Sequence, residues 1–228
     1  VDHPWSFGWT QVFTLIGFGI TIAIAVGGFR SFGRWRREKL EERRIDAAFD
    51  ALTIAHETKF IFGNIRGPLT EGYEWADMPA WENDTEDRRQ RRGPYFAAIK
   101  RINSNAKFFE RVWAIQPRCM ALFGADVEQT FLKLHQARRH IEVAAQMLAQ
   151  RVYDQENNDS EDTRRLYQQL RRDIWDQGGF EPELDRVGRL LKEFVAETIA
   201  YAEPIVAQQY RTANARWWSR KTVGSGTE

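Results

Sequence analysis

The sequence predicts an all-α protein: a single N-terminal transmembrane helix followed by a cytoplasmic bundle of four or five helices. Three observations carry this. Val12 to Phe29 is a run of 18 residues without a formal charge, in a chain whose mean hydropathy is only −0.57. After that run, apolar residues recur at helical spacing, and no stretch shows the alternation of a half-buried strand. The organisation read from these patterns is a short extracytoplasmic N-terminus over 1–6, a transmembrane helix over 7–30, a charged neck over 31–44, a bundle over 45–216 and a tail over 217–228.

At about 1.5 Å per residue the uncharged run spans roughly 27 Å, close to the hydrocarbon thickness of a bilayer. A helix satisfies its own backbone hydrogen bonds, so such a run is stable in lipid. Extending it back to Phe7 adds Gln11 as the one strongly polar residue. Trp5, Trp9 and Trp35 flank it, where amphipathic rings favour the headgroup region. Arg30, Arg34, Arg36, Arg37, Lys39, Arg43 and Arg44 follow it, whereas only Asp2 and His3 carry side-chain charge before it. By the positive-inside rule the N-terminus is expected outside and everything after Arg30 in the cytoplasm. A secretory signal peptide fits less well, because a basic n-region and a small-residue cleavage site are missing and arginines follow the run directly. A buried core helix is disfavoured by 18 uncharged residues with aromatic flanks.

Large and small side chains alternate within the run. Steps of two residues turn a helix by about 200°, so the small residues fall into two rows on roughly opposite faces, Gly17/Thr21/Ala25 and Gly19/Ala23/Gly27. Each is a small-xxx-small pattern that lets helix backbones approach closely in lipid, so these six residues are the expected packing positions of the anchor. Glycine and alanine are also common in membrane helices generally, and the pattern alone weighs both explanations equally.

Beyond the neck, Ile45, Ala48, Phe49, Leu52 and Ala55 mark one helix that runs out near Gly63. A second is expected from Pro94 to Pro117 with Ile99, Ile102, Ala106, Phe109 and Val112 inward, because proline suits a first turn. A third begins near Asp126, placed to cap it with Gln129 three residues on, and carries Val127, Phe131, Leu134, Ile141 and Leu148. Glu161 to Trp175 is a shorter helix stopped by Gly178 and Gly179. Pro182 starts the last, with Leu184, Val187, Leu191, Phe194, Val195, Thr198 and Ala202 inward and a bend at Pro204. Gly224 to Glu228 reads as a frayed end.

Between the first two bundle helices, residues 66–92 form a long loop that sets Tyr73, Trp75, Met78 and Trp81 among seven carboxylates. Aromatics in an acidic loop either anchor a partner or latch onto the protein's own bundle; the latch is the plainer expectation. Tyr73, Trp75 and Trp81 are accordingly candidate partner contacts. So are Trp217 and Trp218, which sit between Arg216 and Arg220-Lys221 as at a membrane interface.

Chemical signatures are missing. With 33 basic and 32 acidic residues the net charge is +1, which steers the molecule toward no polyanion, and no nucleic-acid partner is expected. The arginine runs at Arg88, Arg89, Arg91 and Arg92, at Arg138 and Arg139, and at Arg171 and Arg172 are mixed with carboxylates and read as solvated helix surface. Glu-x-x-His pairs are absent, and His135 and His140 lie about 140° apart on a helix, so no metal site is expected. Phosphate loops and nucleophile motifs are absent too. Glu57, Asp173 and Asp176 read as solvated carboxylates, and Cys119, the one cysteine, as a small buried apolar residue. No cofactor and no catalytic residue is expected. The reading that follows is a non-catalytic accessory or scaffold subunit, anchored in membrane lipid and associating with itself or with other membrane subunits. The alternative is a membrane-tethered enzyme or ligand sensor with a motif-less site inside the bundle.

Overall fold

The computed structural model describes residues 8–82, 84–152, 160–176 and 185–223, with side chains for all of these except 9, 10 and 209–223. Among them are six α-helices, one 3-10 turn and no strand. The helices are α1 (Trp9–Ile65), α2 (Glu86–Ser104), α3 (Ala106–Phe123), α4 (Val127–Arg151), α5 (Glu161–Ile174) and α6 (Arg186–Val223). The chain divides into two units, Val1–Ile45 and Asp46–Glu228, and α1 contributes to both.

The first unit is the long apolar helix that the composition predicts. Its most apolar 18-residue window has a mean hydropathy of 2.2, and none of that window is buried within the chain. By length and composition it is sufficient to cross a membrane.

In the second unit α4 lies at the centre, packed on α6, α2, α5 and α3. Its predicted inward face is the observed one: Val127, Phe131, Leu134, Ile141 and Leu148 are all buried. Phe131 meets Phe194 of α6 edge to face at 5.7 Å, and Phe62 of α1 meets Phe109 of α3 at 6.0 Å. Such pairs add about 1 kcal/mol beyond the area they bury. A second cluster joins Ala98 of α2, Ala144, Ala145 and Leu148 of α4, and Leu170 and Ile174 of α5. Its alanines let three helices approach with little side-chain volume between them.

The helix expected from Pro94 to Pro117 differs. It is two helices, and both prolines lie inside them. α2 starts earlier because Thr85 caps it, its side chain accepting from Arg88 N at 3.3 Å, with Glu86 and Asp87 in the first turn where the helix dipole favours negative charge. The break falls at Asn105, whose side-chain amide donates to Arg101 O at 2.8 Å while its backbone N–H reaches Arg101 O and Ile102 O. An asparagine that satisfies the last turn with its own amide competes with helix continuation. Ala106 is exposed as a result.

Position 126 begins α4 as expected, but Asp126 is helical in conformation and its side chain makes no cap bond. α3 ends at Gly124, whose φ of 108° is open only to glycine. Ser160 caps α5 by accepting from Thr163 N at 3.2 Å. Asp185 caps α6 by accepting from Gly188 N at 2.9 Å. Gly178, Gly179, Pro182, Leu184 and the end after Val223 lie outside the described residues. Pro204 is inside α6, and Phe49, one of the residues that mark the first bundle helix, is exposed, as is Leu166 of α5.

Candidate functional site

In the first unit every side chain from residue 11 to residue 32 is exposed, including Ile24 at 70% and Phe29 at 80%. The six positions expected to pack are exposed with the rest: Gly17, Thr21 and Ala25 in one row, Gly19, Ala23 and Gly27 in the other. A β-carbon added at Gly17, Gly19 or Gly27 meets nothing within 4 Å, so both rows are open surface. The close packing expected at these six positions is therefore not made within the chain. Its physical reason is that the described residues contain one helix apolar enough to lie in lipid, and a small-residue row needs a second helix to close against. Thr21 donates its hydroxyl to Gly17 O at 2.8 Å. The one hydroxyl within the two rows is thus satisfied by its own helix, which suits a hydrocarbon environment. Further on, Lys39 pairs with Glu42 at 2.7 Å and Arg44 with Glu41 at 3.3 Å, while Phe32 and Trp35 touch at 5.7 Å between ring centres. Trp5 lies outside the described residues; Trp9 is the first residue of α1, and its side chain is outside them.

In the second unit the loop is shorter than expected, because α2 claims residues from Glu86 onward. The described residues of 66–85, with a 3-10 turn at Gly72–Trp75, are clasped by basic side chains of α2. Arg101 donates to the carbonyls of Asn64, Gly67 and Leu69 and to both carboxylate oxygens of Glu74, at 2.7 to 3.2 Å. Arg92 is buried, donating to Pro79 O at 2.9 Å and to Asp84 at 2.6 Å, with its guanidinium 4.1 Å from the centre of the Trp81 ring. Lys100 pairs with Asp77, and Arg89 reaches Ala76 O. Trp75 is half-buried against Gly93, and Met78 is buried. Tyr73 stays 69% exposed and Trp81 44%. Arg92 corrects the expectation of a wholly solvated arginine run: its carbonyl and carboxylate partners come from the loop, so no pattern within α2 announces its burial.

The same physics operates where α5 and α6 meet the end of α1. Arg66 is buried and donates to Asp185, to Arg172 O at 2.8 Å and to Trp175 O at 3.3 Å, while Asp176 N returns a bond to Arg66 O at 3.0 Å. Asp173, expected on a solvated face, is fully buried, because Arg186 of α6 grips both its oxygens and Gln169 donates to one of them. Glu57 pairs with Arg111 at the surface. Cys119 is buried, and burial pushes its thiol up to about 11, which leaves it unreactive at neutral pH.

A shallow groove of about 630 Å³ between α3 and α4 is lined by Trp113, Gln116, Met120, His135, Arg139 and Glu142, among others. Trp113 donates its indole N–H to His135 Nδ1 at 3.1 Å, and His135 Nε2 is 2.9 Å from Gln116 Oε1. With Nδ1 accepting, the neutral ring carries its proton on Nε2 and donates to Gln116. Burial, helped by nearby Arg138, holds His135 below the usual imidazole range, in keeping with that neutral form. The groove thus presents a tryptophan ring, 61% exposed, that a hydrogen-bonded chain fixes in place. Sequence inspection missed it, since Trp113 and Gln116 lie on α3 and His135 on α4. Among the described residues no group of three or more His, Cys, Asp or Glu is arranged to hold a metal ion. α6 runs through Trp217 and Trp218, whose side chains lie outside the described residues. No family model, no curated protein and no solved structure matches the chain.

Proposed function

We propose that this chain is a membrane-anchored, non-catalytic accessory or scaffold subunit, with its N-terminus outside, its bundle in the cytoplasm, and its apolar helix packed against itself or against larger membrane subunits. The supporting observation is the apolar stretch of α1, whose side chains find no cover within the chain. That much apolar surface is untenable in water, and lipid and neighbouring helices cover it together. The bundle, by contrast, closes its own apolar core and uses its buried charges to hold loop and helices in place, as a structural module does. Purification in mild detergent followed by cross-linking and mass spectrometry tests this reading. A reproducible set of membrane partners, or a defined homo-oligomer, is expected. Replacing Gly19 and Gly27, or Gly17 and Ala25, with isoleucine should dissociate it; wild-type assembly size in both variants counts against packing through these rows.

A second reading, a ligand sensor, draws on the α3–α4 groove, whose ring, neutral histidine and arginine are the kind of convergent groups that bind small ligands. A ligand whose binding is abolished by Trp113→Ala, with the bundle still folded, would move the assignment to the sensor.

A further inference from the structure

Between the apolar stretch and the paired charges of the neck, α1 carries a band of positive charge with no counter-charge of its own. Residues 30–37 contain Arg30, Arg34, Arg36 and Arg37 and no carboxylate, whereas residues 38–44 contain three basic and three acidic side chains. The second group partly neutralises itself through Lys39–Glu42 and Arg44–Glu41. All four arginines of the first group are exposed, and among the described residues none is paired with a carboxylate.

These arginines are not spread evenly. At about 100° per residue, Arg30, Arg34 and Arg37 fall within about 60° of one another, forming a stripe roughly 10 Å long, and Phe32 and Trp35 lie on the opposite side. Gly33 borders the stripe, and a β-carbon there meets nothing within 4 Å, so the space beside the guanidinium groups is open. Arg37 uses one N–H on Gly33 O at 3.2 Å. Like charges three and four residues apart repel, and an external anion between them would relieve that repulsion. Guanidinium forks match the paired oxygens of a phosphate group. The stripe directly follows Phe29, at the end of the uncharged run and at the same level along the helix as an aromatic pair on the opposite face that suits the interface, which is the depth of lipid phosphate.

We infer that Arg30, Arg34 and Arg37 form a binding site for the phosphate-bearing headgroup of an anionic lipid. This rests on the membrane-anchored reading above and names the partner of its neck. Each basic side chain near an anionic surface contributes roughly fivefold in affinity, so three together give a preference on the order of 100-fold over a zwitterionic lipid.

The full chain in mild non-ionic detergent is titrated with phosphatidylglycerol and with phosphatidylcholine of identical acyl chains, and bound lipid is counted by native mass spectrometry. Phosphatidylglycerol should bind at least about tenfold more tightly in the wild type. The preference should vanish in R30Q/R34Q/R37Q and survive in K39Q/R43Q/R44Q. Equal binding of the two lipids, an unaffected triple variant R30Q/R34Q/R37Q, or displacement of the lipid by millimolar inorganic phosphate overturns the inference. Insertion of the chain into nanodiscs of pure phosphatidylcholine is measured alongside. If it inserts without lipid preference, the headgroup site fails and the anchor stands; if it does not insert, both fail.

Discussion

The indole of Trp75 occupies the space that a side chain at Gly93 would need: a β-carbon at residue 93 comes within 2.6 Å of the ring. Glycine in a helix interior ordinarily costs about 1 kcal/mol relative to alanine, so its presence in α2 is the price of seating the tryptophan. Gly93→Ala should therefore destabilise the bundle rather than gain that increment, by about 1 to 3 kcal/mol, and Gly93→Val by more. Thermal unfolding of the full chain in detergent measures the loss. A stabilised Gly93→Ala variant would mean that Trp75 moves aside freely.

Arg66 and Arg111 both pair with a carboxylate, but in different surroundings. The side chain of Arg66 is 4% exposed and also holds two backbone carbonyls, whereas that of Arg111 is 53% exposed. Removing Arg66 strands Asp185 and the carbonyls of Arg172 and Trp175, so Arg66→Ala should cost about 3 kcal/mol or more. Arg111→Ala leaves Glu57 in water and should cost under about 1 kcal/mol. Denaturant midpoints of the two variants should separate clearly; equal losses would show that Arg66 is solvated in solution.

Periodicity alone revealed the elements whose stability comes from one continuous apolar face. α4 is the clearest case, since Val127, Phe131, Leu134, Ile141 and Leu148 repeat at helical spacing and all are buried. The apolar part of α1 was legible for the same reason. The pattern misled where one polar atom decides: Thr85 and Asn105 move the ends of a helix through single side-chain hydrogen bonds, and two prolines misplaced those ends. It was blind to Asp173 and Arg92, because a charge is buried by a partner supplied from elsewhere in the chain and no local signal encodes that partner. The Trp113–His135 contact shares this cause, its members standing on separate helices.

Acid should weaken the α3–α4 contact. His135 is held below its ordinary value of 6.5, first by burial and then by Arg138, so the unfolded chain binds a proton more readily than the folded one. His140 shifts the same way, from burial and then Arg186, with Asp173 opposing. Their contribution to stability is complete above 6.5 and is lost as pH falls below it. Protonated His135 also has no lone pair to accept from Trp113. Unfolding of wild type and of His135→Gln, compared at pH 7.5 and pH 5, should show a smaller acid loss in the variant. Equal losses would assign the acid sensitivity to other groups.

The proposed orientation can be tested with a single reporter thiol, because Cys119 is buried and its raised pKa leaves it almost wholly protonated at neutral pH. A membrane-impermeant maleimide should therefore give little labelling of the native chain in intact cells, and any signal reports the introduced residue. With Ser6→Cys the reagent should label intact cells, and with Ser225→Cys it should label only after the cells are permeabilised. The expectation rests on the asymmetry of charge about the uncharged run: seven basic residues follow it within 31–44 and at Arg30, against Asp2 and His3 before it. Labelling of Ser225→Cys in intact cells, with Ser6→Cys protected, would place the bundle outside. It would also move the arginine stripe to the outer leaflet, where the same headgroup chemistry would have to be sought.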